Sequence, residues 1–63
     1  MFDYQIIESG RTILVGHANI RFFVGDEVYI SSLHHSFLVK RVIIDIPPGT
    51  LGSFPITYIV EKK

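Results

Sequence analysis

Apolar and polar residues alternate along much of this chain with a period of two, which is the pattern of β-strands. No segment sustains the i, i+3, i+4, i+7 spacing of an amphipathic helix, and Val, Ile, Thr, Tyr and Phe dominate. Turn residues interrupt the pattern at short intervals, at Ser9-Gly10, Gly16, Gly25-Asp26, Pro47-Pro48-Gly49 and Gly52. Short strands at this spacing predict an all-β fold, either a small barrel or a sandwich.

The runs between these turns define the predicted elements. In chain order they are a strand from Phe2 to Glu8, a strand from Arg11 to Val15, a short segment from Ile20 to Phe23, a strand from Glu27 to Ser31, a loop from Leu33 to Ser36, a long strand from Phe37 to Ile46, and a last strand from Phe54 or Ile56 to Glu61. Proline has no N–H to donate, so the Pro47-Pro48-Gly49 stretch cannot continue a strand ladder.

Alternation also assigns strand residues to one of two faces. The residues with inward parity are Tyr4, Ile6, Ile13, Val15, Val28, Ile30, Val42, Ile44, Ile46, Ile56, Tyr58 and Val60. Four apolar residues fall on the outward parity, one on each of four strands: Ile7, Leu14, Ile43 and Ile59. This set indicates a shared interface, although single exposed apolar residues are ordinary and strands of a small barrel can be buried on both faces.

The length of the chain limits how it can be stabilised. Its 63 residues make one domain, 1–63, and a domain of this size buries only about 60% of its unfolded surface. The chain has no cysteine, which excludes disulfides and thiolate metal sites. Apolar residues make up 48% of the chain and the mean hydropathy is +0.37, which points to a homo-oligomer or a protein partner.

Hydropathy and charge narrow the class of partner. No apolar run approaches the roughly 18 residues of a membrane span, and no signal segment begins the chain. We therefore expect no membrane association and a cytoplasmic location. Six basic residues balance six acidic ones, whereas a domain that neutralises phosphates usually carries a positive excess. This balance disfavours nucleic-acid binding as the main function.

The residue types that carry chemistry do not form a recognisable site. His17, His34 and His35 lack the His-x-His and His-x-x-x-His spacings, and a metal would need them to converge with Asp26 or Glu27. The serines lie in or beside turns without the strand-turn-helix context of a nucleophile elbow, and the glycines precede no helix that would complete a phosphate loop. The sequence therefore predicts a non-catalytic domain with no metal and no cofactor.

The stretch from Phe22 to Glu27 raises two structural questions. Phe22 and Phe23 are consecutive, so an extended backbone would place one inside and one outside, without indicating which. Gly25 permits a bend, and Asp26 can accept hydrogen bonds from turn N–H groups. Glu27 would then begin the next strand facing water. This local role needs no ligand.

The order of several motifs marks a resemblance. The motifs are Gly10-Arg11 followed by Gly16, the corner Val24-Gly25-Asp26-Glu27-Val28-Tyr29-Ile30, the strand end Val42-Ile43-Ile44-Asp45-Ile46, and the final strand Ile56 to Val60. In this order the chain resembles the second domain of the translational GTPases, such as elongation factor Tu, over residues 4 to 61. The resemblance implies a closed Greek-key barrel of about six strands, with an SH3-like or OB-like barrel as the alternative.

The differences from that family affect function more than fold. The motifs begin near residue 4, so we expect no GTPase domain and no P-loop, and the stretch from Pro47 to Ser53 is shorter than the family's loop before the last strand. Because function does not follow from fold, two hypotheses stay open. The first is a non-catalytic interaction module that self-associates. The alternative, implied by the resemblance, is an RNA- or ribosome-associated accessory domain whose phosphate contacts would be Arg11, Lys40, Arg41, Lys62 and Lys63.

Overall fold

A computed structural model describes residues 2–46, 48–49 and 55–63. The elements in chain order are β1 (Phe2–Glu8), β2 (Arg11–Ala18), β3 (Glu27–Ile30), a 3₁₀ helix (Ser31–Leu33), β4 (His35–Ile44) and β5 (Pro55–Lys62). The strands make one sheet in the order β2-β1-β5-β4-β3, in which β1 and β5 are parallel and the other neighbours are antiparallel. The predicted all-β class is confirmed. The sheet is a curled half-barrel with β2 and β3 at its edges.

The hairpin between β1 and β2 turns at the predicted position. Its loop is Ser9-Gly10, and the pair Glu8↔Arg11 closes it. Both loop residues have positive φ, 52° at Ser9 and 78° at Gly10. Positive φ at both central positions is the signature of the type I′ turn, whose twist matches that of the flanking strands. Gly10 adopts this conformation without the steric cost that a Cβ would add.

Two β-bulges interrupt the ladders. In β2, Ile6 of β1 pairs with Leu14 while Ile7 pairs with Thr12, so Ile13 is the extra residue. In β4 the register likewise shifts between Val39 and Arg41. An extra residue moves every later side chain of its strand to the opposite face relative to simple alternation. The bulges therefore decide which residues face the core.

The core lies on the concave face of the sheet. Its buried members come from four of the five strands and are Ile6, Ile30, Phe37, Val39, Ile56, Tyr58 and Val60. Tyr4, Ile13, Leu14, Phe22, Val28 and Val42 pack against them. The prediction that Ile6, Ile30 and the alternate residues of the last strand point inward is confirmed. Burial of this apolar surface is the main force that holds the sheet curled.

The bulge at Ile13 corrects two predictions in β2. Leu14 was expected on the outward face, but it lies opposite Ile6 and packs against the core. Val15 was expected inside, but 71% of its surface is exposed. The outward assignment of Leu14 is wrong because the extra residue reverses the alternation from that position onward.

The end of β4 is less buried than its alternation predicts. Val42 packs against the core as expected. Ile44, the last residue of the strand, and Ile46, which lies beyond it, were also expected inside, but both are exposed. The core thus does not extend to the end of β4, and the inward parity of Ile44 and Ile46 does not bring burial.

The boundaries of several elements also differ from the prediction. β2 continues through Gly16 to Ala18, and β4 begins at His35 inside the segment expected to be a loop. The strand expected from Glu27 to Ser31 ends at Ile30, where the 3₁₀ helix begins. The segment from Ile20 to Phe23 is not part of a strand. Three predicted features, the turn residues Pro47 and Gly52 and the alternative strand start at Phe54, lie outside the described residues.

The Gly25-Asp26 corner is a hydrogen-bonded turn that joins directly to β4. The N–H of Asp26 donates to the carbonyl of Phe23 at 3.0 Å, and the Asp26 carboxylate accepts from the Phe23 N–H at 2.8 Å. Gly25 has a φ of 98°, as the third residue of a type II turn requires. Val39 then donates to the Asp26 carbonyl and accepts from the Gly25 N–H, both at 2.9 Å. The predicted roles of Gly25 and Asp26 are confirmed.

Candidate interaction surface

The convex face of the sheet carries most of the outward apolar residues that the sequence singled out. The strand register places two rows of side chains side by side across β2, β1, β5 and β4. They are Thr12, Ile7, Ile59 and Arg41 in one row and Val15, Gln5, Thr57 and Ile43 in the next. We call Ile7, Val15, Ile43 and Ile59 the convex apolar patch. Three of its members were predicted, and Val15 occupies the place expected for Leu14.

The patch combines an apolar pair on the central strands with polar side chains beside it. Ile7 and Ile59 are parallel neighbours on the two central strands and are half-buried by adjoining side chains. Ile43 and Val15 lie further out and are 39% and 71% exposed. Between them Gln5 donates from Nε2 to the Thr57 hydroxyl at 3.0 Å. This bond pairs one polar group of each of these two residues within the patch, which lowers the cost of covering the face.

The sheet has two edges with different protection. β3 has four residues, begins with Glu27 and is followed at once by the 3₁₀ helix. β2 has eight residues, contains no proline, and pairs with β1 on one side alone within the described chain. Long apolar edges without charge or proline invite pairing with another strand. β2 is thus the less protected edge.

Two open cavities adjoin the sheet. The first, about 240 Å³, lies at the end of the sheet near the Ser9-Gly10 turn and is lined by Glu8, Ile13, Leu33, His35, Phe37 and Lys62. The second, about 270 Å³, lies at the opposite end, by the start of β5, and is lined by Asp3, Tyr4, Gln5, Val15, Pro55 and Ile56. Within the described residues, Nε2 of His35 and Nε of Arg21 are buried without a hydrogen-bond partner.

The three histidines lie in separate environments. His17 is on the convex face of β2 and contacts the Asp3 carboxylate through Nδ1. His34 follows the 3₁₀ helix with a φ of 51°, and His35 packs its ring edge-on against Phe37 at 5.4 Å between centroids. Across residues 2–46, 48–49 and 55–63, no three His, Asp or Glu side chains come together as metal ligands would. Asp26 and Glu27, the expected oxygen ligands, have turn and ion-pair contacts instead.

Two of the basic residues named for RNA contact are paired with acids. Nζ of Lys40 lies 3.6 Å from the Glu61 carboxylate. Nζ of Lys63 donates to Glu27 at 2.8 Å, and this ammonium lowers the pKa of the Glu27 carboxyl. An ammonium that already faces a carboxylate gains less from a phosphate than a free one does.

The other three basic residues named for RNA contact lie in two parts of the sheet. Arg11 lies beside the Ser9-Gly10 turn, Arg41 is in a row of the convex face, and Lys62 lines the first cavity. Nucleic-acid binding usually uses cations that follow one path along the phosphates. Arg11 and Lys62 lie at the same end of the sheet, Arg41 lies on the convex face, and RNA association stays a prediction.

The two consecutive phenylalanines differ in burial. Phe22 packs against the core, with its ring centroid 5.1 Å from that of Tyr58 and 6.5 Å from that of Tyr4. Phe23 is 60% exposed, and the Arg21 guanidinium lies 5.3 Å from its ring centroid. The sequence left this choice open because neighbouring residues in an extended segment face opposite ways.

In comparisons with known proteins, no family model, no curated protein and no solved structure matches this chain. Within the described residues, no helix has the length and hydropathy needed to cross a membrane.

Proposed function

We propose that this chain is a small, non-catalytic β-sheet module that acts by association, and that its first partner is a second copy of itself. The observation that carries the proposal is the convex apolar patch, which the strand register assembles from Ile7, Val15, Ile43 and Ile59. Several apolar side chains that share one face of a small domain are typical of an association surface.

The small size of the described core favours the same conclusion. The core on the concave face is small, and nine large apolar side chains of the described chain are exposed. A domain of this length has little core to stabilise it, and covering exposed apolar surface adds hydrophobic free energy. Self-association thus supplies stability that disulfides cannot supply in a chain without cysteine.

Closure of the barrel belongs to the same proposal. The closed Greek-key barrel of about six strands, which the resemblance to the second domain of translational GTPases implies, needs β2 and β3 to be bridged. The described residues leave these two strands as edges. We propose that assembly, rather than closure within one chain, covers the open sheet.

The test replaces patch residues by charged ones. Ile43→Asp with Ile59→Asp should shift an associating protein to smaller species in sedimentation velocity, with an unchanged far-ultraviolet circular dichroism spectrum. Ile20→Asp, which alters an exposed apolar residue outside the sheet, is the matched control and should associate like the wild type. Ile43→Thr with Ile59→Thr provides a second variant that keeps strand propensity if the acidic pair fails to fold.

The outcomes separate clearly. A wild-type chain that stays strictly monomeric at high micromolar concentration would show that the proposal of self-association is wrong. Unfolding by both paired variants would mean that Ile43 and Ile59 belong to the core and not to an interface. If a folded paired variant associates like the wild type, the convex apolar patch is not part of the interface.

A further inference from the structure

Within the described residues, β2 pairs with no strand on its outer side, and the backbone groups that it directs there can be assigned from the register. A two-residue hairpin closes on a hydrogen-bonded pair, here Glu8↔Arg11. Along β1, residues whose backbone groups bond to β2 alternate with residues whose backbone groups do not. The backbone N–H and C=O groups of Ile6 and Tyr4 therefore also point toward β2. The extra residue at Ile13 is on β2 and leaves this alternation of β1 unchanged.

The register then identifies which β2 residues direct their backbone N–H and C=O groups away from β1, toward the outer edge of the sheet. Leu14 and Gly16 lie opposite Ile6 and Tyr4, so their backbone groups are used by β1. Val15 and His17 lie opposite the intervening positions of β1, so their N–H and C=O groups face away from the sheet. Beyond the bulge, β2 thus presents one regular segment, Leu14–Ala18, with two edge-facing residues placed symmetrically about Gly16.

This segment is complementary to itself. We propose that Leu14–Ala18 pairs antiparallel with the same segment of a second copy, with the two Gly16 residues facing each other across a twofold axis. Val15 then lies opposite His17 of the second copy, and each such pair exchanges both backbone hydrogen bonds. This inference rests on the self-association proposed above and adds a second contact to it, because pairing at β2 covers Val15 of the convex apolar patch and leaves Ile7, Ile43 and Ile59 on the open convex face.

The side chains match in the same arrangement. Leu14, Gly16 and Ala18 share the concave face of β2, and Val15 and His17 share the convex face, so both faces continue across the twofold axis. Each His17 faces a valine and not a second histidine, which avoids opposing like groups. Val15, the most exposed large apolar residue of the described sheet, becomes covered by the neighbouring copy.

The other edge does not offer this symmetry. β3 has four residues, and the carboxylate of Glu27 at its start is held by Lys63. Charged residues on an edge are a common protection against pairing. In β2 the segment Leu14–Ala18 contains no Lys, Arg, Asp, Glu or Pro, so nothing of that kind opposes a second copy. A closed, twofold contact at β2 also gives a dimer and not an open chain of molecules.

The direct test is amide hydrogen exchange of the whole chain at low and high protein concentration. Val15 and His17 should gain protection as concentration rises, whereas Gly16, already bonded to β1, should change little. Val15→Pro removes an edge-facing N–H that the fold itself does not use, and an edge strand tolerates it there. It should weaken association roughly tenfold or more, since each copy loses a donor to the ladder. Val15→Thr keeps the N–H and is the matched control that should still associate.

The failures of the two proposals differ. If the wild type associates but the Val15 and His17 amides exchange at one rate at every concentration, edge pairing is wrong and self-association stands. The same conclusion follows if folded Val15→Pro associates as well as Val15→Thr. If the wild type never associates, both proposals fail. Should Val15→Pro not fold, the exchange rates of the wild type alone decide the question.

Discussion

The hydroxyl of Tyr58 accepts a hydrogen bond from the backbone N–H of Phe22 at 3.2 Å, while the two rings lie 5.1 Å apart. Tyr58 is on β5 and is only 1% exposed. Phe22 belongs to the connection between β2 and β3, which has no strand of its own. One buried side chain thus fixes the connection onto the concave face in two ways, by packing and by a polar contact.

Tyr58→Phe tests the polar half of this relationship. The variant keeps the ring but leaves the Phe22 N–H without its partner, so we expect a loss of about 1–2 kcal/mol in the free energy of unfolding. Urea denaturation gives this value, and the Phe22 amide should exchange faster with solvent. Tyr29→Phe, at an exposed position on β3, removes the same hydroxyl group and should change neither quantity. Equal effects from the two variants would contradict the proposed role of the hydrogen bond.

Gly16→Ala tests the close contact between Gly16 on β2 and the Tyr4 side chain on β1. A Cβ at Gly16 would lie 2.9 Å from the Tyr4 hydroxyl oxygen and 3.1 Å from its Cζ, so the Tyr4 ring must move within its aromatic contacts. We expect a loss of about 1–3 kcal/mol, as for other overpacked sites. Adding Tyr4→Phe removes the closest atom and should restore part of the loss, which a double-mutant cycle in urea measures. Additive effects of the two changes would rule out the contact.

The corner at Gly25-Asp26 should respond in a graded way. Asp26→Ala removes the acceptor of the Phe23 N–H, so we expect a loss of roughly 0.5–1.5 kcal/mol. Asp26→Asn keeps an oxygen that accepts the same bond and should cost less. Gly25→Ala forces a side chain into a φ of 98° and should cost at least as much as Asp26→Ala. Thermal unfolding ranks the stability of the three variants. A Gly25→Ala variant as stable as the wild type would show that the positive φ at this position does not require glycine.

The Glu27–Lys63 pair predicts a small dependence of stability on pH. The Lys63 ammonium lowers the pKa of the Glu27 carboxyl in the folded chain. A carboxyl with a lowered folded pKa adds stability above its unfolded pKa, and that gain is lost as pH falls through the folded pKa. Glu27→Gln should therefore destabilise the chain at neutral pH and have little effect in strong acid. The change should be modest because the pair is exposed.

The measurement is urea denaturation of the wild type and of Glu27→Gln, each at neutral pH and in strong acid. Lys63→Gln removes the other partner and should abolish the same pH-dependent difference. A loss from Glu27→Gln that is equal at neutral and acidic pH would mean that the ion pair is not its cause.

The parts of the fold that follow simple alternation were predictable. In β1 and β5 each residue keeps its expected face, so Ile6, Tyr58 and Val60 are buried as predicted. Their alternation is uninterrupted because the extra residues of the two bulges lie on β2 and β4. The Ser9-Gly10 turn and the bend at Gly25 were predictable because their residues tolerate the unusual φ values that these turns need.

The position of Val15 was not predictable, and the reason is local. Ile13, Leu14 and Val15 are all apolar, so an extra residue at Ile13 leaves no trace in the pattern of apolar and polar positions. Only the pairing with β1 reveals which of the three is extra. The outward parity predicted for Ile7, Ile43 and Ile59 agrees with the strand register, that of Leu14 is wrong, and their role in an interface stays a prediction.

The parallel pairing of β1 with β5 has a consequence for how the chain reaches this structure. These strands are the first and last of the described elements, yet they are neighbours at the centre of the sheet. Before β5 joins, the other four described strands form two separate hairpins, β1–β2 and β3–β4, and an isolated hairpin is marginally stable in water. Cooperative folding must therefore wait until β5 has left the ribosomal exit tunnel, and the long loop closure this requires makes the step slow.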